Sequence, residues 1–171
     1  MIASTIPLAC VLAGGVIGKL APAEKMHVSA TMMAGTGMSL TGNAGHTYGA
    51  RSPVFLLAEV GLRHPDLMWL EFAPTLLLEV EGRVGFGLLP RVRAFVPTKR
   101  VQPYGVLGVP IFVAPYSLVG IQAGGGLKID LHKRVALVAE FTANVFVWGS
   151  DLMTGSVLGK LDESVGVRVS F

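Results

Sequence analysis

Five segments between Val54 and Phe171 keep every charge they contain on one face of an extended chain and leave the other face wholly apolar. Successive side chains of a strand point to opposite faces, so a two-residue period reports two environments. Val54, Leu56, Ala58, Val60 and Leu62 oppose Glu59, Gly61 and Arg63. Leu70, Phe72, Pro74, Leu76, Leu78 and Val80 oppose Glu71, Ala73, Thr75, Leu77 and Glu79. Val84, Phe86, Leu88, Pro90, Val92, Ala94 and Val96 oppose Gly85, Gly87, Leu89, Arg91, Arg93 and Phe95. The segment from Val135 to Trp148 sets Val135, Leu137, Ala139, Phe141, Ala143, Val145 and Val147 against a face holding Glu140. The last sets Val165, Val167, Val169 and Phe171 against Ser164, Gly166, Arg168 and Ser170.

A barrel can be built from such strands with either face outward. In a soluble barrel the apolar face points in, and the exterior is rich in Lys and Glu. Here the second face holds Gly, Ala, Ser, Thr and a few charges of both signs, a set that fills a narrow lumen. Only 15% of the residues are charged, against about a quarter in soluble domains. An Arg or Lys on the lipid face at mid-bilayer costs about 2–4 kcal/mol, which accounts for an uninterrupted apolar face. The apolar faces are therefore read as a lipid-facing belt.

Three weaker segments complete the count. Lys25 to Ala34 alternates His27, Ser29 and Thr31 with Val28, Ala30 and Met32. Pro103 to Val113 is apolar on both faces. Val119 to Leu131 sets Gly120, Gln122, Gly124, Gly126, Lys128 and Asp130 against a wholly apolar or glycine face. The predicted fold is all-β: an eight-stranded antiparallel up-and-down transmembrane β-barrel with a narrow polar interior. An even count brings both termini to one side. Residues 64–67, 97–102 and 132–134 then form turns on that side, and 35–52 and 149–160 form long loops on the other. Pro74 and Pro90 each remove a ladder donor and are expected at bulges.

The 171 residues suit one domain. Residues 1–23 read as a signal peptide, since an uncharged stretch over 2–18 precedes Ala21-Pro22-Ala23; residues 24–171 are the barrel domain. An uncleaved helical anchor is the competing reading. Cys10, the single cysteine, supports neither a disulfide framework nor a metal cluster; a lipoprotein site there is the other option.

Ten side chains form the predicted lumen network: Glu59, Arg63, Glu71, Glu79, Arg91, Arg93, Lys128, Asp130, Glu140 and Arg168. A three-residue loop at 81–83 sets Glu71 opposite Arg93 and Glu79 opposite Gly85. A three-residue turn at 132–134 sets Glu140 opposite Gly126, with Lys128 on its diagonal. Either the network closes the lumen, or it lines a gate or narrow polar path. Closure is favoured, because eight strands leave an interior just wide enough for side chains to fill. His46 with Ser39, Tyr48 and Ser52 is the one set weighed for hydrolytic chemistry. His64 and His132 fall in turns, and His27 is assigned to the lumen. Gly124-Gly125-Gly126 lies in a strand pattern and not before a helix, so a bend or close contact outweighs phosphate binding.

Three runs carry a resemblance. Val101-Gln102-Pro103-Tyr104-Gly105-Val106-Leu107-Gly108-Val109 resembles the Pro-Tyr-rich fifth strand of small outer-membrane proteins. Gly124 to Leu131, a basic turn, and Val135 to Phe141 resemble their next hairpin. The ending Val165-Gly166-Val167-Arg168-Val169-Ser170-Phe171 resembles the terminal insertion signal, carried here by Val165, Val167, Val169 and Phe171. The chain thus resembles OmpA-like and OmpX-like barrels over roughly 24–171. The resemblance implies a bacterial outer-membrane location with both mature termini periplasmic. It implies contact with outer-membrane lipid and lipopolysaccharide, and insertion by the barrel assembly machinery. Trp69, Tyr104, Tyr116 and Trp148 are the candidates for aromatic girdles.

The net charge of +3, with no basic run or aromatic platform, gives no reason to expect nucleic acid as a partner. No catalytic residue, metal site or cofactor is assigned. The expected role is structural or surface-interacting, with an interior closed by charge. A narrow pore for small solutes and a lipid-modifying enzyme are the alternatives.

Overall fold

The computed structural model describes residues 26–43, 46–82, 84–150, 152 and 156–171. The signal-peptide segment 1–23 and Cys10 lie outside the described residues. The strands are β1 (His27–Asn43), β2 (His46–Arg63), β3 (Leu70–Glu79), β4 (Gly85–Phe95), β5 (Val101–Gly108), β6 (Ile111–Ala114), β7 (Leu118–Asp130), β8 (Val135–Gly149) and β9 (Val157–Ser170). A 3-10 turn, Pro65–Leu67, joins β2 to β3.

All pairings are antiparallel, and the sheet closes on itself as β3-β2-β1-β9-β8-β7-β5-β4, with β3 returning to β4. Both β5 and β6 lie between β4 and β7, so they are two halves of one strand. The break falls at Val109-Pro110, where buried Pro110 offers no N–H to a ladder. The ring therefore has eight strands. The first and last strands pair from Ser29↔Ser170 to Gly42↔Val157, which places the start of β1 and the end of β9 at one end.

The alternation survives folding. In β4 the pattern from Gly85 to Phe95 is buried and exposed in strict turn. Leu76, Leu88, Val92, Leu137, Phe141, Val165 and Val167 all face outward and are exposed. Thr31, Glu59, Glu71, Arg91, Arg93, Glu140 and Arg168 face inward and are buried. Apolar side chains on the surface and charges in the core invert the soluble arrangement, as a lipid-facing wall requires.

Three expectations need correction. Residues 35–43 and 46–52 are strand and not loop: β1 and β2 run on to Asn43 and from His46 as paired strands, past a register shift between Gly35 and Gly37. Seventeen residues of β1 extend roughly 55 Å, well beyond the reach of ten-residue β3 on the other side of β2. Likewise β9 begins at Val157, inside the stretch 149–160 assigned to a second loop. Pro74 and Pro90 mark no bulge, since they sit directly opposite each other in an unshifted β3–β4 ladder. Their missing N–H groups instead leave gaps on the far sides, where β2–β3 pairing skips from Glu59↔Thr75 to Leu62↔Phe72 in unchanged register.

The outward belt makes a direct prediction. Leu76→Arg, mid-strand and outward, should cost about 2–4 kcal/mol in urea unfolding from lipid vesicles. Tyr48→Arg, on the projecting part of β2, should change stability by less than about 0.5 kcal/mol.

Candidate functional site

The inward face of β2 carries Glu59 and Arg63, that of β3 Glu71, and that of β4 Arg91 and Arg93. Across the lumen, β8 contributes Glu140 and β9 Arg168. Strand period places Arg91 and Arg93 one above the other, so both reach the same carboxylates. Arg91 bridges Glu59 and Glu140 through its two terminal nitrogens. Arg93 bridges the same pair, with Nη2 3.0 Å from Glu140, and also lies 3.3 Å from Glu71. Glu71 receives Arg63 Nε at 2.7 Å and Arg168 Nη1 at 2.9 Å. Thr75 donates to Glu59 at 3.2 Å, and Tyr104 donates to Glu140 at 3.0 Å.

Four arginines thus meet three glutamates. The surplus positive charge lies against aromatic faces, with the Arg63 guanidinium 3.8 Å from the Phe95 ring centroid and that of Arg93 5.2 Å from Tyr104. Two glycines make room for this packing. A Cβ at Gly61 would stand 2.9 Å from the Glu71 carboxyl carbon, and one at Gly126 would stand 2.5 Å from the Tyr104 ring.

Three predicted members lie elsewhere. Glu79 forms a separate cluster nearer the β1–β2 hairpin, where Lys160 approaches to 2.6 Å and the Tyr116 hydroxyl donates to it. Lys128 pairs with Asp130 at 3.1 Å near the opposite mouth, and not with Glu140 as its diagonal position suggested. The registers Glu71↔Arg93, Glu79↔Gly85 and Gly126↔Glu140 are those drawn from the turn lengths. Tyr104 is no girdle residue, because it is buried inside; Tyr116 is half-buried against Glu79. Trp69 and Trp148 are exposed. His27 is in phase with the lumen yet exposed at its rim.

Lys160, Asp162 and Asn144 went unassigned. Asn144 donates to Asp162 at 2.8 Å, and Gln122 donates to Asn144 at 3.0 Å. Extending the even phase of Arg168 and Ser164 backward through Asp162 to Lys160 would have found both charges. Glu163 is exposed on the outward face, one step beyond the apolar run that begins at Val165. Val165, Val167, Val169 and Phe171 all point outward.

The interior also holds an apolar layer. Met33, Phe55, Leu57 and Leu89 pack with Val106 and Val138, and Phe112, Leu118 and Phe146 form a second group. Between these layers and the charges, a cavity of about 20 Å³ is lined by Leu89, Gln122, Glu140 and Asn144, among others. That is room for about one water. The hydrolytic set is not gathered. Ser39 donates to the Ala50 carbonyl, and His46 and Ser52 lie about 20 Å apart along one extended strand. Among the described residues, no group of three His, Cys, Asp or Glu is placed to hold a metal ion.

Removing one partner from a buried network leaves its counter-charges unpaired. Glu140→Ala should therefore cost about 3–5 kcal/mol in equilibrium unfolding. Arg51→Ala, which breaks the exposed 3.1 Å pair with Glu81, should cost less than about 1 kcal/mol.

No protein-family model matches the sequence. No curated protein sequence matches it. Solved structures do. Neisserial surface protein A superposes with a TM-score of 0.61 at 17% identity, over 86% of this chain and 97% of that one. The N-terminal β-barrel domain of Pseudomonas aeruginosa OprF gives 0.55 at 12% identity, over 84% and 97%. At such identities the likeness is one of fold. The chain has the eight-stranded antiparallel barrel fold of small outer-membrane proteins.

Proposed function

We propose that this chain is an outer-membrane barrel with a structural or surface-interacting role, whose lumen is closed by its charge network. The observation that carries the reading is an apolar wall around a sealed charged interior, with the Arg91 and Arg93 side chains 0% and 1% exposed. Lipid contacts the belt, and the extended parts of β1, β2 and β9 stand clear of it as a projecting sheet, where Tyr48 and Met38 are exposed. That sheet is the surface offered to lipopolysaccharide or an extracellular partner. Residues 1–23 serve as the export signal. Val165, Val167, Val169 and Phe171 are the strand read by the assembly machinery.

Two measurements test the proposal. The folded protein in detergent should migrate differently on a gel before and after boiling, with β-type circular dichroism; a water-soluble monomer indifferent to detergent would refute it. Planar-bilayer recording should show no conductance above baseline. Regular current steps from the purified barrel would replace the closed-lumen reading with a pore.

A further inference from the structure

At the end where β1 begins and β9 finishes, a pocket of about 360 Å³ opens between the β4–β5 and β7–β8 turns. Its charged lining is Arg100, Lys128, Asp130, Lys133 and Arg134, with His132 beside them. Backbone hydrogen bonds hold these residues together. The Asp130 amide donates to the Arg100 carbonyl at 3.0 Å, fixing the β4–β5 turn against β7. The Leu131 and His132 amides both donate to the Val135 carbonyl at 3.0 Å, closing the β7–β8 turn. The Ser170 amide donates to the Arg134 carbonyl at 2.8 Å, tying that turn to β9.

The electrostatics differ from those of the lumen. There each charge meets an opposite one. Here four cations face one carboxylate, and Lys128 already engages it at 3.1 Å. Among the described residues, the side chains of Arg100, Lys133 and Arg134 have no ion-pair partner. A concave site with unneutralised guanidinium and ammonium groups suits a phosphate, which arginine binds through paired N–H donors and lysine through point charge. The pocket also borders the apolar wall: Leu131 lines it and is 56% exposed, and Val135 follows on the same face. A phosphate held here would have hydrocarbon beside it.

We propose that this pocket binds a phosphate-bearing ligand, the headgroup of an anionic phospholipid, with free phosphate as the other source of the same chemistry. The lipid source rests on the membrane location proposed above; the anion site does not.

The test uses the whole folded chain with labelled backbone amides. In phosphatidylcholine nanodiscs, inorganic phosphate is titrated at constant ionic strength against chloride. In a second arm, phosphatidylglycerol replaces part of the phosphatidylcholine. The Arg100 and His132 to Val135 amide resonances should shift and saturate. The triple variant Arg100→Ala, Lys133→Ala, Arg134→Ala should weaken binding by at least about tenfold while keeping its boiling-dependent gel shift. Saturation with phosphate alone would assign the free anion, and saturation with phosphatidylglycerol only would assign the lipid. Saturation in neither arm, equal shifts with chloride, or an unaltered response in the triple variant would overturn the site. Should the protein prove water-soluble, the phosphate arm runs unchanged and still decides the anion site.

Discussion

The pairing of β1 with β9 is what turns this sheet into a ring. It unites the two ends of the chain through an unbroken register from Ser29↔Ser170 to Gly42↔Val157. Without it, both strands would expose a row of unpaired N–H and C=O groups. In hydrocarbon each such group costs several kcal/mol, so a spanning sheet must close. Closure with eight strands then fixes the lumen width, and the lumen width dictates what fills it.

The filling explains the interior charges. A narrow lumen lined only by small residues would leave space for water, whereas large side chains fill an interior of this width. Here opposed arginines and glutamates reach across and pair with one another: Glu59 and Glu140 are shared by Arg91 and Arg93, and Glu71 by Arg63 and Arg168. Burying charges is costly, and mutual pairing with added hydrogen bonds from Thr75 and Tyr104 offsets that cost. Apolar layers around Leu89 and Phe146 pack the rest of the interior.

What could be read from the sequence follows the same physics. The belt is legible because lipid tolerates almost no exceptions, so the even-numbered residues from Leu70 to Val80 and from Val84 to Val96 are apolar throughout. Cross-strand pairs such as Glu71 with Arg93 followed from turn length alone. Contacts across the lumen did not, because they join strands far apart in the ring; Arg91 with Glu140 is one. Tyr104 reads equally well as girdle or lumen, because an aromatic fits a membrane interface or a packed interior by type alone. The stretch 35–52 reads as a loop because it is polar and glycine-rich without a clean alternation, while backbone pairing, which leaves no such trace in the side chains, carries both strands through it. Lys160 was lost with it, since Gly159 and the residues before it carry no clear belt.

The even-numbered face of β4 meets hydrocarbon while the odd-numbered face meets the packed lumen. Nitroxide labels at single cysteines decide it, in a chain whose Cys10 is replaced by serine. The labels sit at Leu88→Cys, Val92→Cys and Leu89→Cys of barrels in lipid vesicles. Labels at 88 and 92 should collide readily with dissolved oxygen and little with an aqueous nickel chelate, and the label at 89 should be immobilised and shielded from both. High collision with the nickel chelate at 88 and 92 would place that face in water and contradict the account.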